Sequence, residues 1–164
     1  MKVAIFFGSK SDKETMKKGA DILEEFGVEY KAYIISAHRA GALLHATVEQ
    51  VEKEGCEVII AGAGLAAALP GVIAGITTLP VIGVPLECCT DKSNGLGGMD
   101  ALLSIVQMPP QIPVATVGIN SSKNAAYLAL QILSIKYPEI KEKLKVFRKQ
   151  IGRASCRERV CHEV

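Results

Sequence analysis

The side chains best suited to chemistry in this sequence are His38 and Arg39, which follow an apolar run ending at about Ile34 and precede a helical pattern that begins at Gly41. Histidine can give and take a proton near neutral pH. The arginine guanidinium binds phosphate or carboxylate through two parallel hydrogen bonds. The pair therefore indicates proton transfer beside an anionic ligand, although a His-Arg pair after a strand is also common in solvated loops.

A second polar stretch, Gly8-Ser9-Lys10-Ser11-Asp12, follows the first apolar run of the chain. Ser11 is followed three residues later by Glu14, which is a capping-box pattern, so we predict a helix that begins at Ser11 and is stopped by Gly27. The turn before a helix presents backbone N–H groups to an anion. Asp12 could also accept hydrogen bonds from a ribose diol, or Ser11 and Asp12 could simply cap the helix.

Three small residues, Gly62, Ala63 and Gly64, follow a β-branched run that we predict to be a strand over 56–61. With the next three residues they match the G-x-G-x-x-A pattern of dinucleotide-binding proteins. The match is weak, because Pro70 falls at the start of the following helix and the true pattern follows the first strand of its unit. We interpret these residues instead as bare backbone against which a flat ring can lie.

The elements that must position these stretches alternate between strands and helices, with short links. Strands are predicted over 2–7, 28–35, 56–61, 80–85 and 113–117, and helices over 11–26, 41–54, 70–78, 99–106, 121–135 and 138–150. We therefore predict an α/β fold, a three-layer αβα sandwich around a five-stranded parallel sheet, in a single domain. Ligands of such sheets bind outside the carboxyl ends of the strands, where all three stretches lie.

The composition agrees with a covered parallel sheet in the cytoplasm. Of 164 residues, 49% are hydrophobic but only 5% are aromatic, so the core is aliphatic, as in parallel sheets packed between helices. No apolar run reaches the roughly 18 residues of a membrane span. The chain enters a strand at once without the layout of a signal peptide, so we expect a cytoplasmic protein that binds no membrane.

The last fourteen residues, 151–164, differ from the rest of the chain. The stretch from Ile151 to Val160 resembles the translation of a common sequencing adapter, so we expect a catalytic domain over 1–150 and a non-native tail; a genuine basic tail is the alternative. The tail holds three Arg and two Glu, out of 19 basic and 17 acidic residues in the whole chain. The remaining charges are nearly balanced, so we expect no nucleic-acid partner.

The cysteines and the remaining histidine suggest no metal site. Cys56, Cys88 and Cys89 lie outside the tail, an odd number without metal-ligand spacing, so we predict reduced thiols. Cys88 and Cys89 fall in an irregular segment over 87–98 that we predict to be a lid or rim of the site, with no histidine placed to activate them. His45 lies within a predicted helix near Glu49, and we predict that it is on the surface.

Five stretches together resemble the PurE family, the N5-carboxyaminoimidazole ribonucleotide mutases, over nearly all of residues 2–150. They are Gly8-Ser9-Lys10-Ser11-Asp12, Ser36-Ala37-His38-Arg39, Ala61-Gly62-Ala63-Gly64, Leu69-Pro70-Gly71 and Ser104-Ile105-Val106-Gln107-Met108-Pro109. The resemblance implies a flavodoxin-like fold and a step of purine biosynthesis that moves a carboxylate from the exocyclic nitrogen to a ring carbon of an aminoimidazole ribonucleotide. It implies no metal or organic cofactor. It also implies a homo-octamer with sites at subunit junctions, for which the Gln107-Met108-Pro109 rim and the last helix would supply interfaces.

The resemblance also implies a role for individual residues. His38 would be the general acid and base. The nucleotide-binding residues would be Ser9, Asp12, Ser36, Arg39, Gly62, Ala63 and Gly64. One departure is Ala68, where members of the family often carry a histidine. The mutase is the expected activity, while direct carboxylation of aminoimidazole ribonucleotide and a non-catalytic nucleotide-binding module stay open as alternatives.

Overall fold

The computed structural model describes residues 2–87 and 96–157, with side chains as far as residue 152. The elements in chain order are β1 (Val3–Phe7), α1 (Lys13–Glu25), β2 (Tyr30–Ile34), α2 (Gly41–Lys53), β3 (Val58–Gly64), α3 (Leu69–Ile76), β4 (Val81–Leu86), α4 (Met99–Val106), β5 (Ala115–Thr116), α5 (Ser122–Leu133) and α6 (Pro138–Arg157). A 3₁₀ turn over Lys10–Asp12 leads into α1.

The strands form one parallel sheet in the order β2-β1-β3-β4-β5. The chain therefore steps outward from β1 to β2, then crosses back to place β3 on the other side of β1. This is the flavodoxin-like order, in which the direction of winding reverses between β1 and β3 and leaves a crevice at the carboxyl ends of the strands. The predicted α/β sandwich is confirmed.

Helices cover both faces of the sheet because successive side chains of each strand point to opposite sides. Val3, Ile5 and Phe7 of β1 pack in the core under α1, α5 and α6. Ala4 and Phe6 pack in a second core under α2, α3 and α4. Burial on both sides explains why β1, β3 and β4 read as continuous apolar runs.

The largest boundary error that affects the site is at β3, which was predicted over 56–61 but extends through Gly64. Gly62, Ala63 and Gly64 lie in register beside Val84, Pro85 and Leu86 of β4. These small residues are thus strand, not a glycine turn before a helix. The dinucleotide interpretation, already weak, has no geometric support here, because that motif needs its first glycine in a tight turn.

Other boundaries differ at the ends of elements. Helix α4 is observed over Met99–Val106, as predicted, whereas β5 is only Ala115–Thr116 within the predicted 113–117. Helix α6 continues to Arg157, past the predicted end at residue 150 and into the segment 151–164. That this segment is non-native stays a prediction.

The remaining expectations concern surface and thiol chemistry. His45 is confirmed as a surface residue, with its exposed ring 3.3 Å from a Glu49 carboxylate oxygen. Cys56 is a free, buried thiol, and burial raises the pKa of its thiol group. Cys88 and Cys89, with most of the predicted rim, lie outside the described residues. Within 2–87 and 96–157, no helix is both long and apolar enough to cross a membrane.

Candidate active site at the carboxyl edge of the sheet

The segments after β1 and β2 and the end of β3 meet at one edge of the sheet. Phe7, the last residue of β1, lies in register with Ile34 on one side and Gly62 on the other. A cavity of about 250 Å³ opens there, at the point where the winding reverses. Its lining includes the predicted site residues Ser9, Asp12, Ser36, His38, Arg39, Ala63 and Gly64.

The turn after β1 is closed by Ser9 and Asp12. Ser9 has extended backbone angles (φ −145°, ψ 154°) and its hydroxyl accepts a hydrogen bond from the backbone N–H of Ser11, while the Asp12 carboxylate accepts one from the N–H of Ser9. The predicted capping box of Ser11 with Glu14 is therefore wrong. The box forms two residues earlier because a 3₁₀ turn precedes α1, which moves the first unpaired N–H groups back to Ser9.

This capping reduces the number of backbone N–H groups that the turn can offer to a bound anion. The N–H groups of Ser9, Ser11 and Asp12 all donate to acceptors inside the turn: the Asp12 carboxylate, the Ser9 hydroxyl and the Ser9 carbonyl, respectively. The Ser11 hydroxyl also donates to the Ser9 hydroxyl oxygen, at 2.9 Å. An anion in the cavity would thus meet serine hydroxyls and the Arg39 guanidinium rather than those three backbone donors.

Asp12 is the carboxylate that lines the cavity. Burial raises the pKa of its carboxyl group, and the hydrogen bonds from Ser9 and Ser11 offset this only in part because they favour the ionised form. A carboxylate holds about four acceptor positions, so the two capping bonds leave room for a hydroxyl donor from a ligand. Asp12 can therefore cap the turn and accept from a ribose diol at once.

The turn after β2 presents the imidazole and the guanidinium. The Ser36 carbonyl accepts hydrogen bonds from the N–H groups of Arg39 and Ala40, at 3.3 and 2.9 Å, and this fixes a tight turn immediately before α2. His38 and Arg39 are exposed at the mouth of the cavity, while Ser36 is half-buried within it. An exposed imidazole beside a cavity is accessible to a bound ligand for proton transfer.

The third wall comes from the link between β3 and α3 and is apolar. Leu65, Ala67, Ala68 and Leu69 all line the cavity. Leu65 and Ala67 adopt left-handed backbone angles, with φ of 55° and 36°, and the Ala67 N–H donates to the Gly64 carbonyl at 3.0 Å. Ala68 brings no polar atom, so this wall supplies no proton donor or acceptor from a side chain.

Gly62 lies outside the lining of the cavity. A Cβ on Gly62 would lie 2.5 Å from the Met16 sulfur and 3.1 Å from Leu86 Cδ1, so the lack of a side chain is explained by packing inside the core. Sequence reasoning missed Leu65, Ala67 and Leu69. The signal that could have found them is the strand-end rule, by which ligands bind outside the carboxyl ends of the strands. It points to these residues once β3 is taken to end at Gly64, three residues later than predicted.

No metal centre competes with this cavity in the described part of the chain. No group of three or more His, Cys, Asp and Glu side chains is placed to hold a metal ion among those residues. A larger groove of about 770 Å³ runs along the contact between α5 and α6, but its described lining has no histidine or carboxylate, and Ile151 and Gly152 form part of it. The smaller cavity is the better candidate, because it combines an imidazole, a carboxylate and a guanidinium.

Comparison with known proteins gives the family. The sequence profile of the AIR carboxylase family matches residues 2–154. The chain is 60% identical over 152 residues to the N5-carboxyaminoimidazole ribonucleotide mutase of Pyrococcus abyssi, which covers 93% of this chain and 84% of that protein. The chain belongs to the AIR carboxylase family. The mutase of Thermotoga maritima, another relative, is 53% identical over 152 residues, which is 93% of this chain and 86% of that protein.

A solved structure of the family has the same fold. The crystal structure of Treponema denticola PurE superimposes with a TM-score of 0.83 at 29% identity, covering 95% of this chain and 94% of that one. The sequence resemblance to the family is therefore confirmed by both sequence and fold. The roles of individual site residues stay predictions. Ala68 lines the cavity, so the departure from the family pattern that the resemblance implies would fall at the candidate site itself.

Proposed function

We propose that this protein is an N5-carboxyaminoimidazole ribonucleotide mutase, an isomerase of purine biosynthesis that acts at the cavity after β1, β2 and β3. The observation that carries the proposal is that one cavity gathers His38 with Ser9, Asp12, Ser36 and Arg39, in a chain whose close relatives bear that name.

His38 would move one proton in each direction. As the carboxylate leaves the exocyclic nitrogen as carbon dioxide, the N–C bond breaks and that nitrogen takes the proton of the imidazolium. The ring carbon then attacks carbon dioxide, forming the new C–C bond, and gives up its own proton to the neutral imidazole. The net reaction is an isomerisation that needs no outside acid, base or electron. General acid–base catalysis of this kind contributes about 10²–10⁴-fold in rate.

The other residues would bind and orient the nucleotide. Arg39 and Ser9 line the cavity, and their guanidinium and hydroxyl groups are the donors that a phosphate needs, while Asp12 would supply the acceptor for ribose hydroxyls. Ser36, Ala63 and Gly64 line the part of the cavity nearest the sheet, where the base and the migrating carboxylate would lie. No residue in this scheme holds a metal or an organic cofactor.

Direct carboxylation of aminoimidazole ribonucleotide is the second candidate function, because Ala68 leaves one wall of the cavity without a proton-handling side chain. Two parallel assays separate the candidates: N5-carboxyaminoimidazole ribonucleotide alone, and aminoimidazole ribonucleotide with bicarbonate. Rapid conversion of the first alone supports the mutase. Conversion of only the second would establish the carboxylase, and nucleotide binding with neither conversion would establish a non-catalytic module.

We also propose that the protein works as a homo-octamer in the cytoplasm. Val72 of α3 and Leu103 and Val106 of α4 are exposed apolar side chains, which is typical of surfaces that pair with another subunit. Helix α3 begins at Leu69 in the cavity wall, so a subunit seated on this surface would lie beside the cavity. The cavity is small for a ligand site, which commonly measures about 300–1000 Å³, and a neighbour would complete it. The mass in solution, measured by light scattering, tests the octamer.

A further inference from the structure

The cavity has two chemically different sides. The segments after β1 and β2 line it with hydroxyl, carboxylate, imidazole and guanidinium groups, whereas the link from β3 to α3 lines it with aliphatic side chains. A nucleotide also has a polar part and an apolar part, since its phosphate and ribose are polar and its base has apolar ring faces. The polar side suits the ribose and phosphate, so the aliphatic side is left for the base.

Leu65 is the unusual residue of the aliphatic side. Its φ of 55° lies in the left-handed region, which leucine rarely adopts because its Cβ crowds the backbone. Its side chain is also 44% exposed, although it is large and apolar. A single subunit therefore bears a strained backbone and an exposed leucine at one position, and the described packing within that subunit compensates for neither.

The neighbouring residues cannot provide the same contact. Ala67 and Leu69 are each only 3% exposed, so their side chains are committed to the core. Ala68 reaches the cavity with a single methyl group. Leu65 alone among these four combines a long aliphatic side chain with exposure at the cavity.

We propose that Leu65 is a substrate-contact residue that packs against the face of the nucleotide base and gives the site its preference for ligands that carry a flat ring. Contact with a ring removes the exposed leucine surface from water, which offsets the cost of presenting it. The inference rests on the proposed function, because it takes the ligand to be a ribonucleotide. It deepens that function by naming a determinant of base recognition.

The test compares two probes that differ only by the base: aminoimidazole ribonucleotide without bicarbonate, and ribose 5-phosphate. Their dissociation constants are measured by calorimetry for the wild type and for Leu65→Gly, Leu65→Asn and Leu65→Met. Glycine and asparagine both tolerate a left-handed backbone, so these two variants remove the aliphatic side chain without adding strain, the first by deleting it and the second by replacing it with a polar amide. Methionine keeps an aliphatic side chain of similar size.

For Leu65→Gly and Leu65→Asn we expect the dissociation constant of the ribonucleotide to rise about tenfold, from losing the burial of most of one leucine. The dissociation constant of ribose 5-phosphate should stay within about twofold of the wild-type value in these two variants. Leu65→Met should bind both probes nearly as the wild type does. Thermal unfolding confirms that each variant is folded. Gln111→Gly is the matched control, because Gln111 is exposed with φ of 80° and lies outside the cavity, so strain is relieved there without loss of binding.

Equal weakening of the binding of both probes, or unchanged ribonucleotide binding in both Leu65→Gly and Leu65→Asn, would overturn the role of Leu65. A wild type that binds both probes but converts neither form of the substrate would overturn the proposed function while leaving the contact with the base measurable. A wild type that binds neither probe would overturn both.

Discussion

At the scale of single residues, Asp12 both stabilises a turn of the fold and lines the candidate site. Its carboxylate accepts the N–H of Ser9 at 3.1 Å and so closes the turn that lines one side of the cavity. Burial nevertheless raises its pKa above the ordinary value of 3.8. The folded protein therefore holds the Asp12 proton more tightly than the unfolded chain does, and the contribution of Asp12 to stability falls as the pH rises through that raised pKa.

Asp12→Asn should separate the structural role of this residue from its binding role. The amide oxygen can still accept from Ser9, but it carries no charge to desolvate, so the stability of the variant relative to wild type should improve as the pH rises from about 4 to 7. Binding of the nucleotide should weaken by about tenfold or more, because a charged acceptor for ribose hydroxyls is lost. Urea unfolding at pH 4, 5.5 and 7 and calorimetry measure the two effects. A relative stability that declines over this pH range would contradict the sign of the pKa shift.

The polar site residues were predictable from the sequence, whereas the aliphatic ones were not. His38, Arg39, Ser9 and Asp12 carry distinctive groups and follow strands, so the strand-end rule was enough to bring them together. Leu65 has no chemical signature, and the role proposed for it depends on a φ angle and an exposed fraction that only the structure gives.

At the scale of elements, α1 carries the Ser9–Asp12 turn and is held in place by α5. The hydroxyl of the buried Ser122, at the start of α5, donates to the Thr15 carbonyl in the first turns of α1. One turn further, Gly19 lets the two helices approach closely: a Cβ there would lie 2.6 Å from the Ser122 carbonyl oxygen. The backbone of α5 thus limits the position of the helix that bears the polar wall.

Two glycine-to-alanine changes in helices should have opposite effects. Gly19→Ala should lower the free energy of unfolding by about 1–3 kcal/mol, because the methyl group meets backbone that cannot move aside cheaply. It should also weaken nucleotide binding as α1 shifts. Gly75→Ala in α3 should raise the free energy of unfolding by up to about 1 kcal/mol, since open space surrounds its Cβ position and alanine favours helix.

Denaturant titrations of the two variants measure the expected fall in the free energy of unfolding for Gly19→Ala and the expected rise for Gly75→Ala. A Gly19→Ala protein as stable as wild type would show that the α1–α5 contact does not restrict α1.

The type and order of the elements followed from periodicity, but some of their ends did not. Helix α4 was predicted to the residue, because a glycine pair precedes it and Pro109-Pro110 follows closely. Strand β3 was predicted to end too early because Gly62-Ala63-Gly64 resembles a loop, whereas pairing with β4 keeps it extended. The capping box was misplaced because two serines within three residues offer competing caps, and only the 3₁₀ turn decides between them.

At the scale of the whole molecule, the site exists because the winding of the sheet reverses next to β1. Side chains about 30 residues apart in the chain, at Ser9, His38 and Leu65, meet because the strands before them are neighbours in the order β2-β1-β3. The Lys143 side chain of α6 donates to the Phe26 carbonyl at the carboxyl end of α1, and the cavity lining includes none of the described residues of α6.

Deleting residues 151–164 should therefore leave the turnover and the assembly of the protein unchanged. Ile151 and Gly152 are exposed and line the groove between α5 and α6, so their loss removes little buried surface from the described part of the chain. Turnover is compared by steady-state kinetics and the assembly by size-exclusion chromatography with light scattering. A fall in either would show that the segment is part of the native protein.

The most direct measurement is the turnover number of His38→Asn with N5-carboxyaminoimidazole ribonucleotide, together with its affinity for aminoimidazole ribonucleotide. Asparagine keeps a polar side chain at an exposed position, so the fold and the binding of the nucleotide should change little, but it cannot exchange a proton near neutral pH. We predict a fall in kcat of about 10²–10⁴-fold with binding within a few-fold of wild type. A variant that retains kcat within about tenfold of wild type would contradict the assignment of His38 as the group that carries the proton.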